Sequence, residues 1–331
     1  MTAPTIEAAE LETRFQDHRT ELQAYCYRML ASPFEAQDAV QETFIRAWKA
    51  IDRFEGRSSL RSWLYRIATN VCLDMLRSGQ RRARPMDLGP AQEPIASNLR
   101  ELPETTWLEP APDGLLMTAA GDPAETAAMR DSVRLAFVAA LQHLPARQRA
   151  ALILCEVLQW KASEAAELLE TSVASVNSAL QRARATLGAA TPAPDSASLD
   201  AQSLSADDSE LLTRYMRAFE AYDMSALTEL IHEDATQSMP PFDLWLRGRN
   251  DIFEWWNGPG IGCKGSRVIP TVAANGSPAF GQYKPNESGD GYEPWALQVI
   301  ELSGGRIVEL TFFLDTATLF PLFGLPLRLD A

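Results

Sequence analysis

The most constraining stretch lies near the middle of the chain. Leu144-Pro-Ala-Arg-Gln-Arg-Ala-Ala-Leu is followed by Ser163-Glu-Ala-Ala-Glu-Leu-Leu-Glu-Thr-Ser-Val-Ala-Ser-Val-Asn-Ser-Ala-Leu-Gln-Arg-Ala-Arg. The pattern predicts a helix to about Leu169, a turn at Glu170-Thr171-Ser172, and a second helix whose start Ser172 caps by accepting an unpaired backbone N–H. In that second helix Val173, Val176, Leu180, Ala183 and Leu187 recur at three- and four-residue steps and form the buried stripe. The other face carries Ala174, Ser175, Ser178, Gln181 and Arg182. Small polar residues at the start of such a helix allow close approach to base edges in a major groove, so the stretch predicts a DNA-reading helix-turn-helix.

A net charge of −14 argues against a nucleic-acid binder until it is divided along the chain. Residues 1–84 hold 13 basic against 11 acidic residues, and residues 126–190 hold 7 against 5. Residues 85–125 hold 1 against 8, and residues 191–331 hold 9 against 20. Only the two weakly basic segments would not be repelled by phosphate. The chain has no long apolar run and no secretory pattern, which predicts a soluble cytoplasmic protein without membrane contact. Cys26, Cys72, Cys155 and Cys263 are scattered and there are only three histidines, so neither a metal site nor a disulfide framework is expected.

Composition marks five segments: helical residues 8–84, an acidic proline-rich linker 85–125, the helix-turn-helix segment 126–190, a short linker 191–206, and a mixed segment 207–331. The first linker reads as extended and largely without packed structure. In 8–84, Ala39, Val40, Thr43, Phe44, Ala47, Trp48 and Ile51 form one stripe opposite Asp38, Gln41, Glu42, Ile45 and Lys49. A later stripe places Trp63 in the core. The last segment opens with a helical pair from Glu210 to Ile231 and a short helix from Gly248 to Trp256. It continues with β-rich runs near 265–273, 278–283, 295–302 and 306–313, the last pair joined at Ser303-Gly304-Gly305.

Asp38-Ala-Val-Gln-Glu-Thr-Phe-Ile-Arg-Ala-Trp and Phe54-Glu-Gly-Arg-Ser-Ser-Leu-Arg-Ser-Trp-Leu-Tyr-Arg-Ile-Ala-Thr-Asn-Val-Cys-Leu-Asp-Met-Leu-Arg closely resemble region 2 of bacterial extracytoplasmic-function sigma factors. The helix-turn-helix resembles their region 4. The resemblance implies a factor that binds RNA polymerase core through the β′ clamp helices and the β flap, and that initiates transcription at promoter DNA. It assigns polymerase contact to Asp38, Gln41, Glu42 and Arg46. It assigns the −10 element to Arg57, Arg61, Asn70 and Arg77, and the −35 element to Ser172, Ser175, Ser178, Arg182 and Arg184.

The mixed segment resembles the SnoaL-like, NTF2-related α+β cone, which some members of this family carry as a C-terminal extension. The implied architecture is two all-α sigma domains followed by that cone, with the cone acting in cis as a regulator. No cofactor is implied. His232, Asp234, Trp245, Trp256 and Tyr283 are candidates for a pocket holding a small ligand, but no paired acid and base is evident, so the chain is not read as an enzyme. The apolar tail 319–327 is a candidate for docking on the helical domains. Two alternatives are a stand-alone helix-turn-helix regulator and a SnoaL-type enzyme or sensor with a DNA-binding appendage.

Overall fold

Helix α1 (Arg19–Leu30) is buried from Leu22 to Leu30, Gln23 and Arg28 included. Serine caps begin the next two. The Glu35 N–H donates to Ser32 Oγ at 3.2 Å at the start of α2 (Pro33–Ala50), and the Ser62 N–H donates to Ser59 Oγ at 3.1 Å at the start of α3 (Leu60–Ser78). The computed structural model describes residues 13–54, 56, 58–79, 81–117, 128–190 and 205–330. These three helices share a core in which the Tyr25 hydroxyl meets Thr69 Oγ1 at 2.7 Å, and Trp63 is buried against Phe54.

A short α4 (Asp113–Leu116) packs against α1. The second helical group follows: α5 (Leu135–Gln142), α6 (Ala146–Leu152) running into a π-helical turn at Ile153–Val157, α7 (Ala162–Leu168) and α8 (Val173–Ala190). The turn between α7 and α8 places Glu170 at φ 51°, in the left-handed region that non-glycine residues seldom adopt. Both groups belong to one compact unit, made of Met1–Arg82 and Leu108–Pro194.

A second unit joins Ala83–Trp107 to Asp195–Ala331, which corrects the expectation that the first linker lacks packed structure. Its residues run as a strap along 240–245. The Gln92 N–H donates to the Trp245 carbonyl, the Leu102 N–H to the Pro241 carbonyl and the Asp243 N–H to the Arg100 carbonyl, each at 3.0 Å. The Trp245 indole N–H donates to the Gly89 carbonyl at 2.9 Å, Arg100 Nε donates to Asp243 at 2.7 Å, and Leu99 packs against the domain core. Prolines and acidic residues remove helix and strand propensity but leave carbonyls and N–H groups free to pair with another chain segment.

The second unit continues with α9 (Ala206–Ala221), capped by Ser205 and Asp208, and α10 (Met224–Leu230). Then come β1 (Ile231–Ser238), β2 (Trp245–Arg247), α11 (Arg249–Asn257), β3 (Arg267–Pro270), β4 (Ala279–Pro285), β5 (Gly291–Ser303), β6 (Arg306–Phe313), α12 (Thr316–Leu322) and β7 (Leu329–Asp330). The sheet runs β2-β1-β6-β5-β4-β3 with β7 beside β5. Only the β1–β6 pair is parallel among those described. Gly304 and Gly305, at φ 57° and 71°, make the β5–β6 turn as read from the sequence.

Leu211, Leu212, Tyr215 and Phe219 of α9 and Trp255 and Trp256 of α11 pack with Phe280, Ala296, Ile300 and Phe312 of the sheet. The opposite face is covered by the tail. Tyr283 packs on Phe320 and donates its hydroxyl to the Pro326 carbonyl at 2.9 Å. A Cβ on Gly281 would stand 2.8 Å from a Leu325 methyl, so that strand position needs glycine. The apolar tail therefore covers its own domain's sheet.

Candidate nucleic-acid and polymerase interfaces

The first turn of α8 is organised by Ser172, whose Oγ accepts the Ser175 N–H at 3.1 Å and lies 2.9 Å from Ser175 Oγ. That hydroxyl is thus committed to capping. Ser175, Ser178 and Arg182, at steps of three and four, are exposed on one face with Ala174 beside them. Ser175 and Arg182 also line a groove of about 230 Å³ with Thr171 and, from α6, Arg147 and Gln148. Arg147, which the sequence reading does not include, reaches this groove from the helix two before α8. Arg184 does not join this face; it pairs with Glu156 on the far side of the helix. Val173 is corrected: it is 44% exposed at the helix start, outside the buried stripe formed by Val176, Leu180 and Ala183.

On α2, Asp38, Gln41, Glu42 and Arg46 share the outward face. Arg46 donates to Glu42 at 2.7 Å and to Asp74 of α3 at 3.2 Å, and Arg77 reaches the same Asp74 at 3.3 Å. Exposed pairs of this kind contribute about 0–1 kcal/mol each, so they can be exchanged for a partner's charges at small cost. Two apolar residues join them. Ile45 is 40% exposed and Trp48 48%, which corrects the placement of Trp48 in the buried stripe. Asn70 and Arg77 lie one α3 face together and are exposed. Arg61 points the other way, donating to Glu21 at 2.7 Å, with its guanidinium 5.1 Å from the Tyr65 ring centre and 5.5 Å from that of Trp160. Arg57 lies outside the described residues.

The proposed pocket residues of the mixed domain are not gathered into one site. His232 Nδ1 accepts the Asp234 N–H at 3.1 Å near the start of β1. Trp245 sits under the strap on β2, and Tyr283 sits under the tail on β4, with β1, β6 and β5 between those strands. Trp256 donates to Gln237 Oε1 at 2.7 Å inside the core. The sequence reading missed a buried polar chain there. The Tyr215 hydroxyl donates to Gln298 at 2.9 Å, Gln298 to Gln282 at 2.9 Å, and Gln282 to Ser266 Oγ at 3.0 Å. Burial pushes the Tyr215 hydroxyl well above its ordinary pKa, so the chain is built of neutral groups. Among the described residues no group of His, Cys, Asp and Glu could hold a metal ion, and no helix is long and apolar enough to cross a membrane.

Three family models match the chain: sigma-70 region 2 over residues 14–82, sigma-70 region 4 over 134–187, and the SnoaL-like domain over 212–310. The chain is 46% identical over 317 residues to the ECF RNA polymerase sigma factor SigG of Mycobacterium tuberculosis, covering 94% of this chain and 82% of the relative. It is 30% identical over 225 residues to SigJ of the same organism, covering 68% of this chain and 63% of the relative. The crystal structure of SigJ covers 96% of this chain and 99% of its own with a TM-score of 0.58 at 22% identity, a likeness of fold. By sequence, domain order and fold, the chain belongs to the extracytoplasmic-function RNA polymerase sigma factors, in a form that carries a C-terminal SnoaL-like domain.

Proposed function

We propose that this sigma factor docks on polymerase core through the α2 face of Asp38, Gln41, Glu42, Ile45, Arg46 and Trp48. The −10 element is met by the α3 face of Asn70 and Arg77, and the −35 element by Ser175, Ser178 and Arg182 of α8, with Arg147 on phosphate. The observation that carries this reading is the α8 face, where small hydroxyl residues lead into an exposed arginine with no described ion pair. The protein works in the cytoplasm and catalyses no reaction of its own. A neutral, hydrogen-bonded core without a paired acid and base supports a regulatory SnoaL-like domain rather than an enzyme.

That domain regulates in cis, and the strap is its route, because Ala83–Trp107 connects the two sigma regions in sequence while packing as part of the C-terminal unit. The test is run-off transcription with purified core, comparing the parent chain with Asp243→Ala, which removes the carboxylate under Arg100. Promoter-dependent transcript from the parent establishes sigma activity. A change of threefold or more in the variant supports control through the strap, and equal yields would remove the strap from the account.

A further inference from the structure

The chain leaves α11 through Gly258-Pro-Gly-Ile-Gly-Cys263, a tight turn that sets a thiol beside an amine of the sheet. The Tyr222 hydroxyl pins the turn, donating to the Trp256 carbonyl at 2.5 Å and lying 3.4 Å from the Gly260 carbonyl. A Cβ on Gly258 or on Gly260 would stand 2.9 Å from a backbone carbonyl of α11, so the chain folds back this closely only with glycine there. The turn brings Cys263 to β4. A Cβ on Gly262 would lie 3.8 Å from Lys284 Nζ, and the Cys263 thiol is the hydrogen-bonding and charge partner of that ammonium.

The other side of Lys284 is covered by Trp295, whose ring centre stands 3.0 Å from Nζ. The indole reaches over because the β4–β5 register slips at this point. Gln282 pairs with Ala296 and Tyr283 with Pro294, which leaves Trp295 as the extra residue of a bulge. Lys284 and Cys263 are half-buried and Trp295 is 39% exposed, so the group stands at the surface. Residues 191–331 hold 20 acidic residues, and Glu293 lies opposite Lys284 in register, yet Lys284 forms no described ion pair. Burial pulls its pKa below the ordinary lysine value, which raises the share of neutral, nucleophilic amine. An amine kept from carboxylates, stripped of water by a ring face and set beside a thiol makes two nucleophiles with one shared approach.

We propose that Lys284 and Cys263 form a capture site for small aldehydes, closing on the carbonyl carbon as a bridged N,S-acetal. The ammonium first gives its proton to water. Nζ then adds to the carbonyl carbon, and water leaves as the C=N bond forms. The thiol adds across that bond, sulfur to carbon and its proton to nitrogen. One aldehyde enters, one water and one proton leave, and no oxidant or reductant takes part. An aldehyde on a single amine or thiol is lost again on dilution. Here the second attack is intramolecular, and the gain in effective concentration holds the bridge closed. Lys264, exposed and next in sequence to Cys263, is the internal comparison.

The test uses the full chain and formaldehyde. After brief exposure and desalting, peptide mass spectrometry should find the Cys263 and Lys284 peptides joined and heavier by one carbon. Their yield should exceed the retained adduct on Lys264 by at least about tenfold. Cys263→Ser and Lys284→Arg should each abolish the bridge. The same chain in urea tests the site without any variant, because unfolding separates the two nucleophiles and should cut the bridged yield by about tenfold or more. A folded parent without the bridge, equal retention on Lys264, or an equal bridged yield in urea overturns the capture site.

Discussion

Arg182 and Arg184 stand two positions apart on α8 and face opposite ways. Arg182 is exposed beside Ser175 and Ser178, whereas Arg184 is held by Glu156. A good arginine–base pair discriminates by about 1–3 kcal/mol, and an exposed ion pair contributes about 0–1 kcal/mol. Arg182→Ala should therefore reduce transcription from a matched promoter by roughly 5- to 150-fold and relax preference at one −35 position. Arg184→Ala should change it by less than about fivefold. Run-off yields on a panel of −35 substitutions measure both; equal losses would place the reading face elsewhere on the helix. The face was legible because helical periodicity assigns Ser175, Ser178 and Arg182 to one side. Trp48 was not legible, because a large apolar residue at the stripe's edge carries the same pattern whether it packs inward or stands on a docking ridge. The overlooked clue was Ile45, an apolar residue among polar ones three positions earlier.

The elements show where pattern reasoning fails. Helices of 8–84 and the β5–β6 hairpin announce themselves by period and by paired glycines. Strand β1 does not: Gln237 and Ser238 are consecutive, lie on opposite faces and are both buried and hydrogen-bonded, so polar residues buried on both faces erase the alternation that marks a strand. The strap is hidden as well, since its hold depends on backbone groups and on Asp243 and Trp245, 143 to 156 residues further along the chain. Docking of the strap predicts slow exchange at the Gln92 and Leu102 amides, whose acceptors are the Trp245 and Pro241 carbonyls. Asp243→Ala should speed exchange at both by roughly tenfold while the amides of α1 stay protected. Exchange at free-chain rates in the parent would mean that the strap does not hold. Deleting residues 191–331 is for this reason no clean removal of a domain, because it also strips Leu99 of its cover.

At the scale of the whole molecule the controlling fact is how charge is divided. Residues 126–190 carry 7 basic against 5 acidic residues, while residues 191–331 carry 9 against 20. A weakly basic reading head tethered to a strongly acidic domain should bind duplex without sequence preference less well than the same head alone, since both act on the same phosphates. Repulsion between exposed charges is screened over about 10 Å at 0.1 M salt and about 30 Å at 0.01 M. The full chain should accordingly bind random duplex more weakly than residues 1–190 at low salt, with the gap closing as salt rises toward about 0.3 M. Fluorescence anisotropy across a salt series decides it. A gap that persists at high salt would mean that the C-terminal domain blocks the reading face by occupying space rather than by charge. The strap sharpens that comparison, because residues 1–190 also release it, and Asp243→Ala releases it while leaving nearly all of the acidic charge in place. If that variant follows the parent at low salt, repulsion by the domain governs binding. If it follows the truncated chain, the strap governs it.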